Sequence, residues 1–184
     1  MTTFKTFMAT AASLVLAAAG LFGQQESAER FLDLGREALF QGRFDKAIEL
    51  LEKALAMDGA EGRAIYRLNL ARAYRFAGRP ADAEKQLAAL LERFPEHVEA
   101  GQFLAEIYAG EARWKDIQRV LEPLLEYRHD YQSHHILAEA AFNLGDLGRA
   151  RRCYEEAIRL NPASGGDHHQ LGNTHTAQNR FALA

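Results

Sequence analysis

The stretch LGREALFQGRFDKA, residues 34–47, carries the pattern that decides the fold. It begins with a leucine followed by a small residue, Leu34-Gly35, and it ends with a second small residue, Ala47. Between them, Gly42 separates two segments whose apolar residues recur at intervals of three and four. That spacing is typical of amphipathic helices, and glycine readily adopts the left-handed conformation that ends a helix. The stretch therefore predicts two helices joined by a tight turn.

The same pattern returns along the chain with a period of about 34 residues. The leucine–small pairs are Leu34-Gly35, Leu70-Ala71, Leu104-Ala105, Leu137-Ala138 and Leu171-Gly172. The breaks that follow them begin at Gly42, Gly78, Ala112, Gly145 and Asn179. The second small position holds Ala47, Ala83, Ile117, Ala150 and Ala184. One helical hairpin cannot bury its apolar face alone, so the repetition predicts hairpins that stabilise one another by stacking.

These leucine–small pairs, breaks and spacings resemble the tetratricopeptide repeat family. The resemblance implies an all-α fold, a right-handed superhelix of antiparallel helix pairs. It covers residues 28–184. We expect four full repeats and a partial fifth repeat, at 28–61, 64–97, 98–130, 131–164 and 165–184.

The N-terminal segment has the features of a secretory signal peptide. Lys5 supplies a short positive start, and an uncharged apolar run, FMATAASLVLAAAGLF, fills residues 7–22. A charged start, an apolar middle and a small-residue exit predict export, with residues 1–23 removed. The alternative is a membrane anchor formed by residues 7–22, although about 16 residues is short for a span. We therefore expect an extracytoplasmic protein, periplasmic or secreted, that touches a membrane only through this segment if at all.

Composition and motifs exclude several functional classes. The chain has 22 Lys and Arg against 25 Asp and Glu, a net charge of -3, which disfavours nucleic-acid binding. A single cysteine excludes a disulfide framework, and no motif of a nucleophile elbow, phosphate loop or zinc protease is present. Seven histidines could suggest a metal site. Neighbouring histidines on a helix point about 100° apart, however, so such a pair cannot bind one ion together. The sequence predicts no enzyme, no cofactor and no metal site.

In proteins with this repeat, the first helix of each hairpin lines a concave groove that receives an extended peptide or a short helix. Carried over to this chain, the resemblance places twelve candidate partner-binding residues in the groove. They are Leu32, Arg36, Phe40, Leu68, Arg72, Arg75, Phe76, Gln102, Glu106, His135, Glu139 and Phe142. The arginines fall in the first two repeats and the glutamates in the next two, so the groove is expected to be polarised.

The arrangement suggests a protein partner whose acidic groups lie toward repeats one and two, because arginine beside phenylalanine can hold a carboxylate and an apolar neighbour. The competing interpretation is that the opposite charges pair with one another along the groove. The family's clamp for the C-terminal carboxylate of chaperones is not matched, since only Asn69 agrees with it.

The resemblance and the predicted export favour a non-enzymatic adaptor, such as an assembly factor for an envelope or secretion complex. The alternative is the recognition arm of a larger enzyme, such as a bacterial transferase.

Overall fold

The computed structural model describes residues 27–57, 59 and 63–182, and this part of the chain contains helices and turns only. The helices are α1 Ala28–Phe40, α2 Phe44–Met57, α3 Arg63–Phe76, α4 Pro80–Arg93, α5 Val98–Gly110, α6 Trp114–Leu124, α7 Tyr131–Asn143, α8 Leu147–Leu160 and α9 Gly165–Ala182. The predicted all-α fold of paired helices is confirmed. The predicted signal peptide, residues 1–23, lies outside the described residues. Within them, every helix is too short or too polar to span a bilayer.

Packing follows the order of the chain. Each helix lies against the next one, so that α1 to α8 form four hairpins and α9 packs on α8. The core runs through the stack as one continuous cluster of buried residues, mostly leucine and alanine, and a second, small cluster surrounds Tyr154. Such a nearest-neighbour arrangement is the stacked solenoid that the repeat predicts.

The turns inside the hairpins require a residue with positive φ. Gly42, Gly78 and Gly145 adopt φ values of 71°, 72° and 78°, as the sequence predicts for these breaks. At the equivalent position of the third hairpin, Ala112 adopts φ 55°. A left-handed conformation costs a residue with a side chain roughly 1–2 kcal/mol, so packing of α5 on α6 has to offset that cost.

Two glycines let paired helices approach until a side chain touches the backbone. A Cβ atom placed on Gly35 would lie 2.7 Å from Cγ of Leu51, and one on Gly101 would lie 2.1 Å from Cδ1 of Leu124. Leu51 and Leu124 are themselves buried, so neither can easily withdraw. Small residues at these positions therefore set the distance between helix axes.

Neighbouring hairpins are joined by buried tyrosines. Tyr108 on α5 donates a hydrogen bond from Oη to Oε1 of Glu84 on α4 (2.9 Å), and Arg113 both stacks on the tyrosine ring (4.1 Å) and pairs with Glu84 (2.8 Å). Tyr74 on α3 donates in the same way to Glu52 on α2 (2.6 Å). Burial and the bond to Glu84 raise the pKa of Tyr108 to about 12, so it stays a donor at neutral pH.

The expected break at Asn179 is wrong, because α9 continues through this position to Ala182. Glycine ends three of the earlier first helices at no steric cost, whereas asparagine has a side chain and is tolerated within a helix. The side of α9 that packs inward is also polar, since it buries Asp167 and Thr174.

Alanine substitution at Gly35 and at Gly172 tests the role of close approach. The two glycines hold the same position in their repeats, but no described atom lies within 4 Å of a Cβ placed on Gly172. We expect Gly35→Ala to lower the free energy of unfolding by about 1–2 kcal/mol, because overpacking against Leu51 exceeds the gain in helix propensity.

Gly172→Ala is the matched control and should raise the free energy of unfolding by about 0.5–1 kcal/mol. Urea unfolding followed by circular dichroism measures both variants. Equal stabilisation by the two substitutions would contradict the close-approach argument.

Candidate protein-binding groove

An open cavity of about 500 Å³ lies on the face formed by the first helices of the hairpins. We call it the α3–α5 cavity. Eight residues from α3, α5 and α7 line it. They are Arg72, Arg75, Phe76, Glu99, Gln102, Phe103, Glu106 and Gln132.

The cavity lies between α3 and α5, the first helices of the second and third hairpins. Helices α1 and α3 approach each other closely, as do α5 and α7, whereas α3 and α5 do so less. Phe76 stands at the edge of the gap with 63% of its surface exposed, and its ring stacks on Phe44 with centroids 5.7 Å apart. Phe103 is half-buried on the opposite wall. The gap therefore exposes aromatic surface of Phe76 and Phe103.

The charges in the cavity are only partly neutralised. Arg72 donates to Glu99 across the gap, which is the internal pairing that the competing interpretation expected. Arg75 is exposed, and its guanidinium has no hydrogen-bond or ion-pair partner among the described residues. Oε1 of Glu106 accepts a hydrogen bond from Nε2 of Gln132 (2.8 Å). An unpaired guanidinium and a carboxylate thus lie within one cavity that also exposes two phenylalanine rings.

Five of the twelve predicted groove residues come together in this cavity: Arg72, Arg75, Phe76, Gln102 and Glu106. Gln102 donates to Asp130 (2.7 Å) and Ser133 (3.0 Å), which fixes its amide against α7. Three further residues line the cavity that were not among the predicted groove residues, Glu99, Phe103 and Gln132. Glu99 and Phe103 do occupy positions at which the family's chaperone clamp has basic residues.

Leu32 and Leu68 require a correction. Each is 6% exposed and belongs to the hydrophobic core, so neither side chain faces the groove. Their position in the repeat borders the inward face of the first helix, and burial of an apolar side chain there contributes about 1.5–3 kcal/mol. The polar Gln102 occupies the same position in the third repeat and stays at the surface.

Arg36 and Phe40 are exposed on α1 but do not line the α3–α5 cavity. Phe40 is 93% exposed and has no ring partner like the one that Phe76 finds in Phe44. Asn69, the single match to the chaperone clamp, is buried and donates to the carbonyl oxygen of Ile65 (2.8 Å). Its amide is therefore not available to a ligand.

His135, Glu139 and Phe142 lie on α7, and each makes a contact within the protein. Nδ1 of His135 lies 2.6 Å from Oδ1 of Asp167, and Nε2 lies 3.7 Å from Oε1 of Glu139. Phe142 is half-buried and packs against a small cluster that includes Tyr154. These three residues take part in contacts within the protein.

Asp167 is a buried carboxylate that sequence analysis did not single out. Burial alone would raise its pKa, but hydrogen bonds involving Ser164, His135 and Tyr131 outweigh burial and lower it. Its backbone amide also donates to Oγ of Ser164 (3.4 Å) at the start of α9. The pattern Ser164-x-x-Asp167 is a helix-capping signal that could have identified it.

Within the residues that the structure describes, three or more histidine, cysteine, aspartate or glutamate side chains do not converge in a geometry that could hold a metal ion. The rings of His129 and His134 stack with centroids 5.7 Å apart, and Nδ1 of His129 lies 3.4 Å from Nε2 of His134. These two histidines therefore form a hydrogen-bonded pair.

Two models of the tetratricopeptide repeat match the sequence, at residues 38–107 and 131–164. No curated protein has a sequence that matches this chain. Among solved structures, MamA from Desulfovibrio magneticus RS-1 is 18% identical over 85% of this chain and 92% of its own, with a TM-score of 0.71. MamA of AMB-1 is 23% identical over 85% of both chains, with a TM-score of 0.69. At these identities the likeness shows a shared fold, a superhelix of helix pairs.

The His134 pair makes stability depend on pH. Burial, and then the neighbouring His129 and Arg159, lower the pKa of His134, although Glu156 and Asp130 act in the opposite direction. The unfolded chain therefore binds the proton more readily. The free energy of unfolding is then unaffected by His134 well above pH 6.5 and falls as the pH drops below that value.

We expect His134→Phe to make urea unfolding less sensitive to a change from pH 7.5 to 5.5, because the phenylalanine ring takes up no proton. The exposed His175, replaced by glutamine, serves as the control and should leave the dependence unchanged. This account would be contradicted if the free energy of unfolding changed by the same amount between pH 7.5 and 5.5 in the wild-type chain and in His134→Phe.

Proposed function

The chain belongs to the tetratricopeptide repeat family, and on that premise we propose that it is an exported, non-enzymatic adaptor that binds a segment of another protein in its groove. Tetratricopeptide repeats form protein–protein interaction scaffolds, and the fold is generally non-catalytic. The proposal adds the export of this chain, the location of its binding site and the chemistry of the bound segment.

The observation that carries the binding site is the unpaired guanidinium of Arg75 beside exposed Phe76 in a cavity of about 500 Å³. Ligand sites typically combine aromatic surface with a few polar or charged groups that orient the ligand, as this cavity does. Arginine and aromatic side chains are also the residues that most often dominate binding energy at interfaces. An acidic residue of the partner next to an apolar one satisfies both groups.

Ion pairs and hydrogen bonds within the protein decide which groups of the groove can bind the segment. Glu99 already neutralises Arg72, so Arg75 is the basic group within the cavity that is left for an acidic residue of the partner. Farther along, His135 is engaged with the buried Asp167. The supported site is therefore the α3–α5 cavity rather than the whole groove.

A photo-crosslinking amino acid at position 76 tests the site in producing cells, with the same amino acid at position 85 as control. Lys85 is exposed on α4 and lies outside the cavity. We expect a defined protein adduct from position 76 only. Adding Arg75→Glu should reduce that adduct at least about tenfold, because a charged hydrogen bond contributes about 1.5–3 kcal/mol.

The matched charge reversal Lys85→Glu should leave the adduct at position 76 unchanged. An adduct that forms equally from both positions, or that survives Arg75→Glu, would count against the proposed site. The partner is then identified from the adduct by mass spectrometry.

Export rests on the charge and apolar pattern of residues 1–23. Fused to a phosphatase that is active only outside the cytoplasm, this segment should give active enzyme, and the mature chain should lack it by intact-mass measurement. Lys5→Glu combined with Leu14→Glu should abolish the phosphatase activity of the fusion. An intact N-terminus in the membrane fraction would instead favour the anchor formed by residues 7–22.

A further inference from the structure

We propose that the partner held in the α3–α5 cavity leaves the groove over the edge of the stack and places a second acidic side chain, with an apolar neighbour, at the turn between α1 and α2. A cavity of about 450 Å³ lies there, which we call the first-turn cavity, and its lining includes Arg43, Phe44, Lys46 and Phe76. This inference rests on the proposed function and adds a second receptor for the same partner.

In the first three hairpins, an arginine directly follows the residue with positive φ at the turn. These arginines are Arg43, Arg79 and Arg113. In the second and third hairpins the guanidinium covers the ring of a tyrosine five positions earlier, in the pairs Arg79–Tyr74 (4.6 Å) and Arg113–Tyr108 (4.1 Å). Its Nε also donates to an aspartate three positions later, in the pairs Arg79–Asp82 (2.9 Å) and Arg113–Asp116 (2.8 Å). The arginine of the second and third turns is therefore a structural residue.

The first hairpin lacks both of these partners. Ala38 occupies the position of the tyrosines, and Lys46 occupies the position of the aspartates. Lys46 itself pairs with Glu49 (2.7 Å). The exposed guanidinium of Arg43 thus has no hydrogen-bond, ion-pair or ring partner within the described part of the chain, and Asp45, two positions away, forms no ion pair with it. The arginine that braces the next two hairpins is available to a ligand at the first.

The first-turn cavity and the α3–α5 cavity share a wall. Phe76 lines both, and its ring stacks on that of Phe44, which lines the first-turn cavity only. Each cavity also contains one arginine without a partner among the described residues, Arg75 in the α3–α5 cavity and Arg43 in the first-turn cavity. A segment that passes over Phe76 therefore finds a receptor for a carboxylate in both cavities.

The first turn differs from the third turn, which also borders a cavity, of about 280 Å³. In the third-turn cavity the arginine, Arg113, is held by Asp116. Two positions before the turn, the first hairpin has Phe40, which is 93% exposed, whereas the third and fourth hairpins have Gly110 and Asn143. An unpaired arginine and exposed aromatic surface thus occur together at the first turn, which suits a carboxylate beside an apolar side chain.

Photo-crosslinking from three further positions tests the path of the partner in producing cells. The crosslinking amino acid replaces Lys46 in the first-turn cavity, Arg36, a predicted groove residue on α1, or Lys115 in the third-turn cavity, and all three side chains are exposed. We expect position 46 to give the same adduct as position 76, and positions 36 and 115 to give none. A partner that continued along the groove would instead be captured from position 36.

Lys46→Asp tests the availability of Arg43, because it restores the aspartate that holds the arginine in the second and third hairpins. With the crosslinker at position 76, we expect about threefold less adduct, the size of one exposed ion pair. Arg43→Gln should cause a similar loss, and the double variant should lose no more than Arg43→Gln alone. Lys85→Asp makes the same change of charge outside both cavities and should leave the adduct unchanged. Circular dichroism verifies that each variant is folded.

Three results would overturn the inference. They are an adduct from position 76 without a matching one from position 46, equal adducts from positions 46 and 115, and an undiminished adduct in Lys46→Asp or Arg43→Gln. The proposed function would survive each of them if the adduct from position 76 still depended on Arg75. Absence of any adduct from position 76 in the otherwise unchanged chain would remove the proposed function itself.

Discussion

Direct contact between one helix and the backbone of its partner is the constraint on which the structure depends. Leu51 occupies the space that a side chain at Gly35 would fill, and Leu124 does the same at Gly101. Alanines complete the contact elsewhere, as at Ala47 and other fully buried positions. Because each helix packs on its immediate neighbours, the approach of one pair decides what the adjacent surface looks like.

The α3–α5 cavity is a consequence of that arrangement and not of a loosely packed repeat. Helix α5 is held to α4 by the bond from Tyr108 to Glu84, and Arg113 covers the same tyrosine ring. Helix α3 is held to α2 by Tyr74 and Glu52. With both walls braced from behind, the gap between them exists before a ligand arrives. A preformed site lowers the entropic cost of binding, which favours a short linear segment as a ligand.

Toward α9 the same face serves a structural purpose. The contact of His135 with the fully buried Asp167, and that of Tyr131 with Ser164, bind the start of α9 to α7 through polar groups, and Leu171 adds an apolar contact. A buried carboxylate requires such partners because desolvation disfavours its charge. His135 therefore contributes to the stability of this end, and the part of the groove open to a partner is narrower than the row of candidate residues suggested.

Periodicity in the sequence determined the class of fold and much of the site. The leucine–small pairs and the glycines at Gly42, Gly78 and Gly145 specify paired helices, because spacing and positive φ are local properties that a sequence displays directly. The same register placed Arg75 and Glu106 on the face that lines the cavity. The repeat pattern predicted Leu32 in the groove, but the side chain of Leu32 lies on the side of α1 that faces the core.

Only the tertiary structure decided which charges are free and where the groove is open. Whether Arg72 or Arg75 is paired depends on Glu99, a residue 27 positions from Arg72 along the chain and on another helix. Where the cavity forms depends on the distance between α3 and α5, which the sum of all helix contacts sets. Such quantities arise from packing between distant segments, and no stretch of sequence carries them by itself.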